Sequence, residues 1–211
     1  MTIFGTNFDT VADTSVTFGG TTGTVTGVTS ASISVTTPAH DNGATVDVVV
    51  TTPGGSATAS AAYTYVGSLS VTTPSVGDFG GITLNGTART TTATMGTFTV
   101  TDSRGTGVGW SVTVQATQFT SGGHTLPLGS ASMPVPSVAK VTPQSTGLPA
   151  IMPGPYTIDG ISATKIASAA ADGSGEGSYI FTPGLLTLSV PASTYAGTYT
   201  STVTVSVISG P

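Results

Sequence analysis

Apolar and polar residues alternate along most of this chain with a period of two, the pattern of strands that turn one face to a core. In the first third the alternation predicts strands at 14–18, 31–36, 46–51 and 59–65, with Val46, Val48 and Val50, then Tyr63 and Tyr65, on the inward face. Gly19-Gly20, Asp41-Asn42-Gly43 and Pro53-Gly54-Gly55 punctuate these runs, and turn signals so spaced predict a small antiparallel sandwich. A break at Gly67-Ser68 sets the boundary, so residues 1–66 form one domain and 67–211 a second.

The second domain opens on a strand around Leu69 and Val71 and continues through 82–84 and 91–100. Its clearest strand carries apolar Trp110, Val112, Val114 and Ala116 against polar Ser111, Thr113 and Gln115. The glycines from Gly105 to Gly109 read as a tight connection, which makes 97–101 and the Trp110 strand a hairpin. Beyond Ala116 the prolines at 127, 134, 136, 143, 149, 153 and 155 point to loops or edges, because proline cannot donate to a ladder. Residues 163–171, with Ile166 and three successive alanines, fit a short helix or a strand. Strands resume at 179–181 and 185–190, and 199–208 closes with Tyr199, Ser201, Val203, Val205 and Val207 on one face. The reading is all-β, two β-sandwich domains in tandem with little or no helix.

Composition sharpens this picture. Only 6% of the 211 residues are charged, against about a quarter in an average domain, while 29 glycines and 13 prolines separate threonine- and valine-rich runs. The net charge is -5, and Arg89, Arg104, Lys140 and Lys165 are the only cationic side chains besides the two histidines. No basic patch exists to neutralise phosphates, so nucleic acid is not an expected partner. No apolar run approaches the ~20 residues of a helical membrane span, and no lysine-rich start leads into an apolar core. The absence of cysteine suits the cytosol and exported bacterial proteins alike, and the low charge and abundant threonine lean towards an extracellular setting.

Candidate chemistry is sparse. His40 and His124 both stand in turn-like stretches, without a partner nearby for nucleophilic catalysis and without zinc-ligand spacing. The nine carboxylates are scattered, and an enzyme is not expected. Asp172-Gly173-Ser174-Gly175-Glu176-Gly177 alternates oxygen ligands with glycines, which makes Asp172 and Glu176 weak metal candidates beside the reading of a surface turn; Pro183 holds the place of the closing glutamate of a calcium loop. No cofactor is expected. Asn85-Gly86-Thr87 fits both a glycosylation sequon and a plain turn. Asp102 and Arg104 pair at the turn before Trp110, and Trp110 is either a core anchor or an exposed aromatic that stacks on sugar rings.

Two resemblances extend the reading. Gly5-Thr6-Asn7-Phe8, Val16-Thr17-Phe18-Gly19-Gly20, Thr36-Thr37-Pro38-Ala39 and Val49-Val50-Thr51-Thr52-Pro53-Gly54-Gly55 resemble the IPT/TIG family, which implies an immunoglobulin-like fold. Members usually begin one strand earlier than Met1-Thr2-Ile3-Phe4, so the resemblance implies a domain lacking its first strand, with Ile3 and Phe4 at an edge available for pairing. Such an edge is either tolerated as it stands or completed by a strand from a neighbouring molecule.

In the second domain, 100–115 resembles the proximal motif of the WxL domain, with Trp110-Ser111-Val112 where that family has Trp-x-Leu. The run 196–207 resembles its distal motif, with Val205 in place of the tryptophan and Val207 in place of the leucine. The resemblance implies a non-enzymatic surface protein of a Gram-positive-type bacterium, bound non-covalently to peptidoglycan or another wall glycan. It makes Trp110, Val112, Asp102 and Arg104 the candidates for glycan or partner binding. The alternative is a structural subunit of a surface fibre or layer, assembled with copies of itself by β-strand complementation.

Overall fold

The computed structural model describes residues 1–8, 10–38, 40, 43–141 and 147–211. They fall into two compact units, Met1–Gly67 and Ser68–Pro211. All regular elements among them are strands, and the protein is all-β. Most of the expected turn Asp41-Asn42-Gly43, along with Pro143, lies outside the described residues.

The first unit holds β1 (Thr2–Phe4), β2 (Ser15–Phe18), β3 (Thr21–Thr22), β4 (Thr24–Thr29), β5 (Ser32–Thr36), β6 (Thr45–Thr52) and β7 (Gly55–Thr64). One sheet runs β1-β5-β4 and the other β3-β2-β6-β7. The alternating pattern marks β2, β5, β6 and β7; the first three supply Val16, Phe18, Ile33, Val35 and Val48 to the core, and Tyr63 of β7 packs against it. It misses β4, where the register shifts between Val25 and Gly27 and the period of two is broken. A second shift lies between Val46 and Val48, where residues 60–62 of β7 face Asp47 alone; the Asp47 Oδ1 accepts the Ala61 N–H at 2.7 Å while Ala61 sits at φ +49°. Losing that carboxylate strands the amide in a conformation L-residues avoid, so Asp47→Ala is expected to cost about 1 kcal/mol in urea denaturation followed by far-UV circular dichroism.

The second unit holds β8 (Leu69–Val71), β9 (Arg89–Met95), β10 (Phe98–Asp102), β11 (Trp110–Ala116), β12 (Thr120–Ser121), β13 (His124–Thr125), β14 (Ala131–Met133) and β15 (Ser137–Lys140). It continues with β16 (Ala150–Ile151), β17 (Tyr156–Thr157), β18 (Thr164–Ala169), β19 (Gly177–Thr182), β20 (Gly184–Val190) and β21 (Val203–Ser209). Three four-stranded sheets have the orders β15-β19-β10-β8, β17-β14-β20-β9 and β16-β18-β11-β21, and β12 and β13 make a short hairpin.

The first two sheets are one sheet broken at a single level. Met95 lies opposite Gly184 and Phe98 opposite Phe181, so the register carries straight through and Gly96 faces Pro183. Val71 faces Val100 and a bridge joins Val76 to Met95, which puts Pro74 opposite Thr97. Ala131 faces Leu188 and Ser137 faces Thr182, which puts Pro136 opposite Pro183. Prolines lacking an N–H therefore interrupt neighbouring strands side by side, and ladder pairing stops along that line. Gly96 has its own reason: a Cβ there would lie 2.6 Å from Ser75 Oγ on the adjacent segment. Pro134 and Pro136 thus stand in a gap between β14 and the edge strand β15, in keeping with the expectation of loops or edges, and the register shows that the gap interrupts one continuous strand path.

The sheet that contains β11 packs on this broken sheet. Trp110 meets Tyr179 and Phe181 at ring-centroid distances of 5.7 and 6.4 Å, and Phe98 stacks on Phe181 at 4.9 Å. Two expectations change and one open choice is resolved. β10 and β11 do not form a hairpin, because β10 pairs with β8 and β19 whereas β11 pairs with β18 and β21; residues 103–109 cross from one sheet to the other. Residues 82–84 are irregular, and the stretch around Ile166 is the strand β18.

Candidate functional site

β11 lies inside its sheet, and its two flanking partners leave its residues little access to water. Trp110 and Val112 are both 0% exposed. The indole Nε1–H donates to the Gly175 carbonyl at 2.8 Å, which satisfies the one polar atom the ring carries into the core. Gly175, at φ +94°, is required for this approach, since a Cβ there would lie 2.3 Å from the Ala169 Cβ. Trp110 is a core anchor. Neither it nor Val112 presents a surface to a sugar or a partner, which corrects the expectation for both.

Asp102 and Arg104 pair as expected, in a two-toothed contact: Nε to Oδ1 and Nη2 to Oδ2, both at 2.9 Å. Arg104 also donates to the Gly109 carbonyl at 2.8 Å and to Ser209 Oγ at 2.6 Å. The hydrogen bonds to Asp102 hold the guanidinium above its ordinary pKa. With Asp102 4% and Arg104 15% exposed, the pair faces inward and fastens both ends of the 103–109 crossing to β21. Its donors and acceptors are engaged inside the fold, so it too departs from the expected ligand-binding role.

The carboxylates of Asp172 and Glu176 serve different turns. Asp172 Oδ1 accepts the Ser174 N–H at 2.8 Å, and hydrogen bonding by Ser174, side chain before backbone, keeps this carboxyl below its ordinary value. Glu176 Oε1 accepts the Gly107 N–H at 3.1 Å. Among the described residues no three His, Asp or Glu side chains converge in a way that would hold a metal ion. In the first unit, Ile3 and Phe4 pair with Ile33 and Ser32 on one side only, and Phe4 is 82% exposed.

The open feature of the second unit is elsewhere. A groove of about 900 Å³ has buried Phe119, Leu126, Leu188 and Val190 at its base and residues 76–82 and 194–201 along its sides. Phe79 meets Phe119 edge-on at 5.8 Å. At one end Tyr195, 64% exposed, stacks on His124 with ring centroids 4.0 Å apart and an interplanar angle of 14°. The Tyr199 hydroxyl donates to the Tyr195 carbonyl at 3.2 Å. A smaller hollow of about 350 Å³ adjoins and shares Thr194, Tyr195 and Tyr199 with the groove. None of the four Lys and Arg residues lines either space, whereas Asp78 lines the larger. The sequence shows His124 and Tyr195 only as separate turn residues, because nothing in the local pattern reports a contact between segments so far apart.

Residues 1–65 match the family model of the IPT/TIG domain, which makes the first unit immunoglobulin-like and places it in a family of non-enzymatic domains. No curated protein and no solved structure matches the chain. No helix among the described residues is long and apolar enough to cross a membrane.

Proposed function

We propose that the chain is a non-enzymatic, extracellular bacterial surface protein that associates non-covalently with the cell wall through its second unit. The observation that carries this reading is the ladder between β11 and β21. The two stretches that resemble the proximal and distal WxL motifs stand side by side, with Val112 opposite Val207 and Val114 opposite Val205. Segments far apart in sequence thereby form one structural unit, as a module defined by paired motifs requires. In this reading Trp110 organises the scaffold, and contact with the wall falls to exposed surface.

The test is sedimentation of the full chain with purified peptidoglycan. Most of the protein is expected in the pellet, and retention is expected to persist in high salt, because a chain of net charge -5 without a basic patch does not bind by counterion release. Protein that stays in the supernatant at every wall concentration overturns the reading.

β7 favours a second reading, assembly of copies through strand edges. It ends its sheet, it is exposed along nearly all of its ten residues, and no proline or charged side chain interrupts it. On the stretch before the irregularity at Ala61, Ala57 and Ala59, opposite Val50 and Val48, leave a row of small side chains of the kind that pairs with another strand. Filaments or concentration-dependent oligomers in negative-stain microscopy and sedimentation velocity are expected on this reading. A monomer across the whole concentration range overturns it.

A further inference from the structure

We propose that the groove beside Tyr195 binds a neutral polysaccharide chain, with the Tyr195 ring stacked on the face of a pyranose. This rests on the wall-association reading in taking the ligand to be a glycan, and it assigns a site that the sequence motifs do not mark.

The first support is the aromatic surface itself. A large side chain left 64% exposed is ordinary when it stands alone, but Tyr195 is braced on one ring face by His124 at 4.0 Å and keeps most of its surface open to water. An aromatic ring offers a flat apolar surface to the axial C–H groups of a sugar and loses little rotamer freedom when it is already packed. The backbone beneath it is equally fixed. Tyr199 O–H bonds the Tyr195 carbonyl, Thr200 bridges to Thr120, and a Cβ on Gly197 would lie 2.5 Å from Ser121 Oγ, so the segment lies tight against the β12–β13 hairpin.

Chemistry and shape narrow the ligand. An apolar base rimmed by Thr194, the Tyr199 hydroxyl and Asp78 suits a molecule with apolar faces and hydroxyl edges. With Asp78 present and no Lys or Arg in the lining, the groove repels phosphate and uronate groups and accepts an uncharged chain. Because the two hollows adjoin through Tyr195 and Tyr199, the track runs past the aromatic instead of stopping at it, which fits the interior of a polymer better than its end.

The experiment is an NMR titration of the isotopically labelled full chain with chitotetraose, with cellotetraose and, as an anionic control, with oligogalacturonate. A neutral oligosaccharide is expected to shift amide signals of residues 78–82, 124–125 and 194–199, and the anionic one to leave them in place. Tyr195→Ala is expected to weaken binding by about tenfold, a typical stacking contribution, and Tyr195→Phe to retain it. Both variants alter a mostly exposed side chain, so their spectra away from the groove serve as the check on folding. The proposal is overturned if neither neutral probe shifts these signals, if the anionic probe shifts them equally, or if Tyr195→Ala binds as the parent does. The two readings separate cleanly. Wall pelleting without any neutral-sugar shifts at the groove removes the groove and keeps wall association, whereas neutral-sugar shifts at the groove without wall pelleting keep the groove and remove wall association.

Discussion

Trp110→Ala lowers the stability of the second unit by about 3–5 kcal/mol, the range for deleting a large aromatic from a packed interior. The side chain is 0% exposed, lies between two sheets against Tyr179 and Phe181, and leaves a cavity when removed. The Gly175 carbonyl also loses the indole N–H that satisfies it. Domains of this size are stable by only about 5–15 kcal/mol in total, so the variant sits at the edge of unfolding. Urea denaturation followed by far-UV circular dichroism measures the loss, and a cost below about 1 kcal/mol sinks the account of Trp110 as the anchor. Trp110→Phe is expected to fall between, keeping ring contacts and losing the hydrogen bond. Fluorescence supplies the companion result: emission of the parent protein is expected to be blue-shifted, resistant to acrylamide and unchanged by any glycan, because the groove and the indole are separate features.

Asp102→Ala is expected to cost about 2–4 kcal/mol, towards the lower part of what the loss of one partner from a buried ion pair costs. The guanidinium would keep its bonds to the Gly109 carbonyl and Ser209 Oγ but lose both carboxylate contacts, while its 15% exposure admits some water. Arg104→Ala is expected to do comparable damage from the other side, removing both side-chain contacts to Asp102 and keeping the bond from the residue-104 backbone N–H at 3.1 Å. A double-mutant cycle tests the pairing directly. If the two substitutions simply add, the pair is not coupled and the fastening role assigned to it fails.

Much of the architecture was legible because a period of two is a local property. The runs around Val16, Val48, Trp110, Phe181 and Leu186 each declare which residues face inward, and those residues form the two cores. Pairing partners are not local. The glycines at 105, 107 and 109 look like a hairpin turn in sequence, yet all three adopt positive φ within a crossing between sheets, whose course is fixed by Asp102, Arg104 and the close approach of Gly109 to the Ala169 carbonyl. The prolines tell only part of the story for a related reason. Taken singly, Pro134 and Pro136 point to a loop or an edge, and only the register shows that they, with Pro74 and Pro183, interrupt neighbouring strands at one level. The candidate site was the least legible part. The motif that draws attention, Trp110-Ser111-Val112, is interior, whereas His124 and Tyr195 carry no motif and become a site only through tertiary contact.

The long-range closure of β11 has a kinetic consequence. Ser111 Oγ–H bonds the Gly210 carbonyl across 99 residues, and Trp110 pairs with Ser209 at the same end of the ladder. During synthesis the tryptophan is therefore made long before the strand that completes its sheet has left the ribosome. Contacts of such sequence separation slow folding, since loop-closure entropy must be overcome before any of them forms. Until β21 arrives, β11 has an open edge and an apolar face, so the newborn second unit spends its early life in its most aggregation-prone state.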